Sequence, residues 1–288
     1  MTVLSTALLS YLLLLLMIRY ADRLGLLKQI REQGPASHLK KSGTPVLGGA
    51  AFALAASLAY LFLPKDPLTT AVLLMALGYG ILGAADDLLG ARGRPLRARE
   101  KLVGQFLVAL IFAAYAFGPL QFSPWPALDF VLITLVIVGS ANAFNFTDGV
   151  DGLAATVTLI ILLPFFPVPL VQAFIGGLLG FLWLNAPPAK IFMGDGGSEL
   201  LGALVAGMYL IQGGLWLLPL AALIPVLEVV SVVLQVFYFR RTGKRIFRMS
   251  PLHHHFELSG WSEPTVVFRF AVITALATVL AFSLGGTI

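Results

Sequence analysis

The sequence predicts an all-α, polytopic membrane protein with about ten transmembrane helices and both termini outside. Residues 1–288 read as one integral membrane domain. Three observations carry this. First, 58% of the 288 residues are hydrophobic and only 11% are charged, against about 25% charged in an ordinary soluble domain. Second, the mean hydropathy is +0.92, so the chain lacks the polar residues to cover a water-facing surface. Third, the basic residues segregate. Threading ten spans from an outside N-terminus puts every one of the 19 Lys and Arg except Lys65 on the inner side, as the positive-inside rule requires.

A soluble globular enzyme, a disordered chain and a nucleic-acid-binding domain are thereby excluded. The pI of about 9.6 reads as basic loops facing an anionic leaflet. With no Cys, disulfides, thiolate chemistry and Cys-based metal sites are excluded too.

A spanning helix needs about 20 mostly apolar residues. The first candidate, 2–20, is preceded by no positive residue and followed by Arg19 and Arg23. That is an anchor starting outside, not a cleavable signal peptide. Spans 45–63 and 68–85 follow, with Lys65 and Asp66 between them outside. Spans 102–118 and 127–144 come next. Spans 152–167 and 170–185 form a hairpin about Pro167-Val168-Pro169. Span 198–212 precedes 215–239, which Pro225 should kink. Span 266–284 completes the set. The longest polar stretches, 20–44, 86–101 and 240–265, are all inside loops.

The chemistry-bearing residues gather on that inner face. All four histidines fall there, and of the 14 acidic residues only Asp66 and Asp129 fall outside. Asp86 and Asp87 end the third span in GAADDLLG. Negative charge at a helix C-terminus opposes the helix dipole, so a capping role fits poorly. Asp148 and Asp151 follow the fifth span in NAFNFTDGVDGLAA. Three apart, they would share one helical face, and each precedes a glycine that lets backbone approach a ligand. A DG turn with an Asp cap on the next helix is the alternative. Gly194-Asp195-Gly196-Gly197-Ser198 precedes the eighth span. Ser198 is its candidate N-cap, the free N–H groups suit phosphate, and Asp195 is placed to hold a metal.

His253, His254 and His255 are consecutive in the last inside loop. Zinc ligands need converging spacing, so a cluster donating hydrogen bonds to phosphate or substrate is the better reading. Glu228 lies mid-span, three residues after Pro225. There it needs a partner or a water-filled groove; a structural hydrogen bond at the kink and a functional role are equal alternatives. Carboxylates among basic residues suit Mg²⁺, which takes one or two carboxylates plus phosphates and water. The set therefore favours phosphoryl transfer to a lipid. A transporter is the rival class, but it should place ionisable groups near the midplane on broken helices, and only Glu228 is so placed.

In GPASHLKKSGTPVLGG, the Asp86-Asp87 pair, NFTDGVDGLAA, NAPPAKIFMGDGGS, the Glu228 segment and PLHHHFELSGWSE, the chain resembles the polyprenyl-phosphate N-acetylhexosamine-1-phosphate transferase superfamily. The match runs through nearly its whole length. HLKKSGTP and the triple His with Glu257 and Trp261 resemble the muramoyl-pentapeptide branch rather than the GlcNAc-1-phosphate transferases. The chain departs from the family pattern at Val46, Leu47, Phe146, Val150 and Gly196, and none of these removes a polar candidate.

The resemblance implies ten helices, a cytoplasmic active site in the bacterial inner membrane, Mg²⁺ as cofactor and a homodimer. It implies that UDP-MurNAc-pentapeptide and undecaprenyl phosphate give lipid I and UMP. Roles follow for the candidates. Asp86, Asp87, Asp195, His253 and His254 would be catalytic, with Asp195 the Mg²⁺ ligand and Asp86 near the lipid phosphate. Lys41, Lys101 and the cluster of His253, His254 and His255 would neutralise phosphate charge. Asn145, Asp148, Asp151, Asn185 and Phe192 would form the nucleotide and sugar pocket, with Phe192 against uracil. Ser198 and Glu228 would also face substrate, and the bent ninth span would border a polyprenyl groove.

Overall fold

A computed structural model describes residues 1–23 and 43–285. Within them the chain is all-helical: α1 (Thr2–Tyr20), α2 (Gly48–Tyr60), α3 (Pro67–Ala91), α4 (Ala98–Tyr115), α5 (Pro126–Thr147) and α6 (Leu153–Leu162). A 3₁₀ turn, Leu163–Phe165, extends α6. Then come α7 (Pro169–Asn185), α8 (Asp195–Ile211), α9 (Leu218–Ala221), α10 (Leu223–Thr242), α11 (Leu252–Glu257) and α12 (Glu263–Gly285). Five of these, α1, α3, α5, α10 and α12, are long and apolar enough to cross a membrane, and α2, α6 with its 3₁₀ turn, and α7 are shorter apolar helices. The protein is membrane-embedded.

Helix α8 is the axis of the bundle. Every residue from Gly196 to Leu210 is buried, chiefly against α3 and α5. Lipid gives helices no hydrophobic reason to associate, so small residues that permit close approach must do it. Gly49 on α2 and Gly197 on α8 stand back to back, and a methyl on either would collide with the other's backbone. Gly83 on α3 meets the backbone of Asp195 and Gly196 in the same way. The N–H groups that begin α2 are satisfied by the strand of chain before α8. Gly48 N donates to Phe192 O at 2.9 Å, Gly49 N to Met193 O at 2.9 Å, and Phe192 N to Pro45 O at 2.8 Å. These contacts seat the first turn of α8 against α2 and α3. Gly49→Ala is expected to destabilise the protein by about 1–3 kcal/mol, read as a lower Tm in detergent. Gly139→Ala, whose methyl would meet open space, is the control and should leave Tm unchanged.

Several boundaries differ from the sequence expectation. The third span does not stop at Asp86-Asp87. Helix α3 runs on to Ala91 and ends where Gly93 takes φ +75, so both carboxylates project from a helix wall. Ser198 is not an N-cap. The helix begins at Asp195 because Gly194, at φ +79, turns the chain there, and Ser198 N already bonds back to Gly194 O at 3.1 Å. Asp148 and Asp151 do not share a helical face. They sit in the turn between α5 and α6, Asp148 as the C-cap of α5. The ninth span is interrupted at Ala222, not bent at Pro225. Pro225 falls in the first turn of α10, where its missing N–H costs no helical bond. The triple histidine lies on a helix of its own, α11, rather than in an open loop.

Candidate active site

Three helices each bring two polar residues one turn apart to a common seam: Lys101 and Gln105 on α4, Asn142 and Asn145 on α5, and Asp195 and Glu199 on α8. The Lys101 ammonium is at the centre. It bonds Asp195 Oδ2, lies 2.6 Å from Glu199 Oε1 and 3.4 Å from Asp86 Oδ2. Asn145 Nδ2 donates to the other oxygen of Asp195 and to Ser198 Oγ, both at 3.0 Å. Asn142 Nδ2 donates to Gln105 Oε1 at 2.8 Å, and Gln105 Nε2 to Glu199 Oε2 at 3.0 Å. Asp86 accepts Leu96 N at 2.7 Å, which folds the α3–α4 loop back over the site. Asp87 accepts Gly196 N at 3.1 Å, one of the free donors at the start of α8. Glycine at 194 is needed twice, for its positive φ and because a Cβ would strike the Asp87 carboxylate.

The openness of these carboxylates separates their roles. The Asp195 side chain is 35% exposed, Asp86 15% and Glu199 0%. Asp195, at the positive end of α8, is the most exposed of the three.

A second tier holds the neighbouring loops. Asn185 is buried; its Oδ1 accepts Gly152 N at 2.9 Å and its Nδ2 donates to Ile191 O at 2.8 Å. Asp151 is buried and accepts Ala189 N at 2.9 Å. These two side chains tie the DGVDG turn to the 186–194 loop. Asp148 and the Phe192 ring are half-buried in these two loops. Ser198 is fully buried and its Oγ accepts from Asn145.

Glu228 lies buried against α11. It is 0% exposed, and its Oε1 accepts both the backbone N–H of His253 and the Nδ1 of the same ring, each at 3.2 Å. Of the two alternatives at the helix break, the buried bond is present, and it is made to α11. His253 is itself buried, its Nε2 packed against Gly149, which joins the histidine helix to the DGVDG turn. His254 Nδ1 pairs with Glu257 Oε2 at 2.8 Å. His255 Nδ1 accepts Arg248 N at 3.1 Å, leaving only its Nε2 to donate outward. Lys41 lies outside the described residues. Gln105, Asn142 and Glu199 were not foreseen. Their one-turn spacing from Lys101, Asn145 and Asp195 is the signal that would have found them.

The glycosyl transferase family 4 model matches residues 69–213, which contain the whole Lys101 seam. Curated relatives extend the match over the chain. The phospho-N-acetylmuramoyl-pentapeptide-transferase of Deinococcus radiodurans is 46% identical, covering 97% of each chain. That of Deinococcus deserti is 48% identical, also over 97% of each. That of Thermoanaerobacter sp. (strain X514) is 43% identical over 93% of this chain and 92% of its own. The chain belongs to glycosyl transferase family 4 and, within it, to the family of phospho-N-acetylmuramoyl-pentapeptide-transferases.

Proposed function

We propose that the protein transfers phospho-MurNAc-pentapeptide from UDP-MurNAc-pentapeptide to undecaprenyl phosphate, giving lipid I and UMP. The observation that supports this best is the Lys101 seam, where Asp195 stands half-open at a helix N-terminus beside Asp86 and Asp87. A lipid-phosphate oxygen forms the new bond to the sugar-side phosphorus, and the bond from that phosphorus to the UMP oxygen breaks. Phosphoryl transfer of this kind needs positioning and charge neutralisation more than covalent help. Lys101 donates to phosphate oxygens. Asp86 orients the lipid phosphate, whose second pKa near 6 leaves it largely dianionic at pH 7, so the nucleophile ionises without an obligatory base. Asp148 and Phe192 face the nucleotide, and the imidazoles of His254 and His255 stand toward the phosphates.

The donor set fits Mg²⁺. It offers hard oxygens from one accessible carboxylate with two more beside it, and Mg²⁺ keeps its other positions for water and substrate phosphates. Asp195 would hold the ion, which supplies charge neutralisation at the pyrophosphate.

In the same reading the chain crosses the bacterial plasma membrane ten times as a homodimer. Both termini lie outside and the seam lies at the cytoplasmic face. The segregation of Lys and Arg supports that orientation. The test is UMP release measured side by side with UDP-MurNAc-pentapeptide and UDP-GlcNAc. Release from the first and not the second is expected; the reverse preference would overturn the proposal.

A further inference from the structure

The three carboxylates around Lys101 are not equivalent. Water reaches Asp195 and Asp86, but Glu199 is completely enclosed. Its orientation is fixed from behind by a chain of bonds through the buried Gln105. Gln105 Nε2 holds Glu199 Oε2, Asn142 Nδ2 holds Gln105 Oε1, and Asn142 is itself tied to Val138 O at 2.8 Å. Tyr79 OH donates to Gln105 O at 2.8 Å and stiffens the same turn of α4. The remaining oxygen of Glu199 faces Lys101 Nζ. An enclosed carboxylate that loses its cation is costly, whereas a solvated one is not. Lys101 can therefore release Asp195 and Asp86 far more easily than Glu199.

We propose that Glu199 is a positioning residue, the permanent counter-ion that keeps the Lys101 ammonium in the seam when a ligand claims Asp195. The ammonium has three N–H donors. The ion pair with Glu199 keeps it in place, and the donor now bonded to Asp195, with the side that faces Asp86, turns to the incoming phosphate oxygens. The identity of that ligand rests on the phosphotransfer reading; the anchoring of Lys101 does not.

The test is pulsed acetylation of lysines in the full chain in detergent, read by mass spectrometry, with exposed Lys65 as internal reference. Asp195→Asn removes the charge of the open partner without any ligand. Lys101 in Asp195→Asn is expected to label as slowly as in wild type, because Glu199 still holds it. Adding Glu199→Gln to Asp195→Asn should speed Lys101 labelling roughly tenfold or more, because no buried carboxylate then holds the side chain away from the reagent, while Lys65 stays constant. Glu199→Asp in the same background, which keeps a carboxylate, should restore slow labelling. Glu199→Leu is a second way to remove the charge, and helicity and elution volume show which variants fold. Equal Lys101 labelling in Asp195→Asn with and without Glu199 overturns the proposal. So does fast labelling in Asp195→Asn alone, which would show that Asp195 was the anchor. A further arm uses wild type with saturating Mg²⁺ and UDP-MurNAc-pentapeptide. Slow labelling with ligand bound supports the proposal, and release of Lys101 overturns it. Failure of those ligands to bind counts against the transfer reading alone, since the Asp195→Asn arms contain neither.

Discussion

Asp195→Asn should lower turnover on the order of a thousandfold, the scale seen when a preorganised charge at a reacting centre is removed. The variant keeps the side chain's size, and its amide oxygen still accepts from Asn145. What it loses is the formal charge that a hard cation needs and that the open position of Asp195 at the head of α8 presents. Because the side chain is 35% exposed, stability should change by no more than about 1 kcal/mol. The measurement is UMP release across a Mg²⁺ titration, beside a melting curve. Near-wild-type turnover at any Mg²⁺ concentration would remove Asp195 from the chemistry.

Lys101→Met should act on stability as well as rate. It leaves the enclosed Glu199 with Gln105 alone and sets Asp195 and Asp86 side by side without their shared cation. Removing one partner of a buried ion pair costs about 3–5 kcal/mol, enough for a clear fall in Tm. The double variant Lys101→Met/Glu199→Leu removes both charges and should regain most of that loss, because no unpaired ion stays buried, while turnover stays low. A Lys101→Met protein as stable as wild type would mean that Glu199 finds another partner, and the seam as described would be wrong.

The helical class and most of the elements were legible in the sequence because apolar length and charge segregation are one-dimensional signals. The positions of Asp86, Asp87 and Asp195 near one another were inferred from motif and resemblance. What brings them together is the packing of Gly49 on Gly197 and of Gly83 on Asp195, and that is invisible without a fold. Helix ends were misread where glycine, not a polar cap, decides them. At Gly194 a positive φ starts α8 one turn before Ser198, and at Gly93 the stop comes well after Asp87. The break at Ala222 carries no proline of its own, so Pro225 drew attention to the wrong residue. Glu199 escaped notice because it reads as one charge in an apolar helix; its meaning depends on Lys101, 98 positions earlier on a different helix. The burial and bonds of Asn185, Asp151 and Ser198 were equally out of reach, since a polar residue in a motif looks the same whether it is open or enclosed by its neighbours.

The central claim is that the Lys101 seam moves a sugar phosphate from a nucleotide to a lipid. Purified protein, undecaprenyl phosphate and UDP-MurNAc-pentapeptide labelled in its sugar-side phosphate decide it. The expected result is label in the organic-extractable lipid, one UMP per labelled lipid, dependent on Mg²⁺ and lost in Asp195→Asn. Label remaining in water-soluble products, or UMP appearing with no labelled lipid, would contradict it.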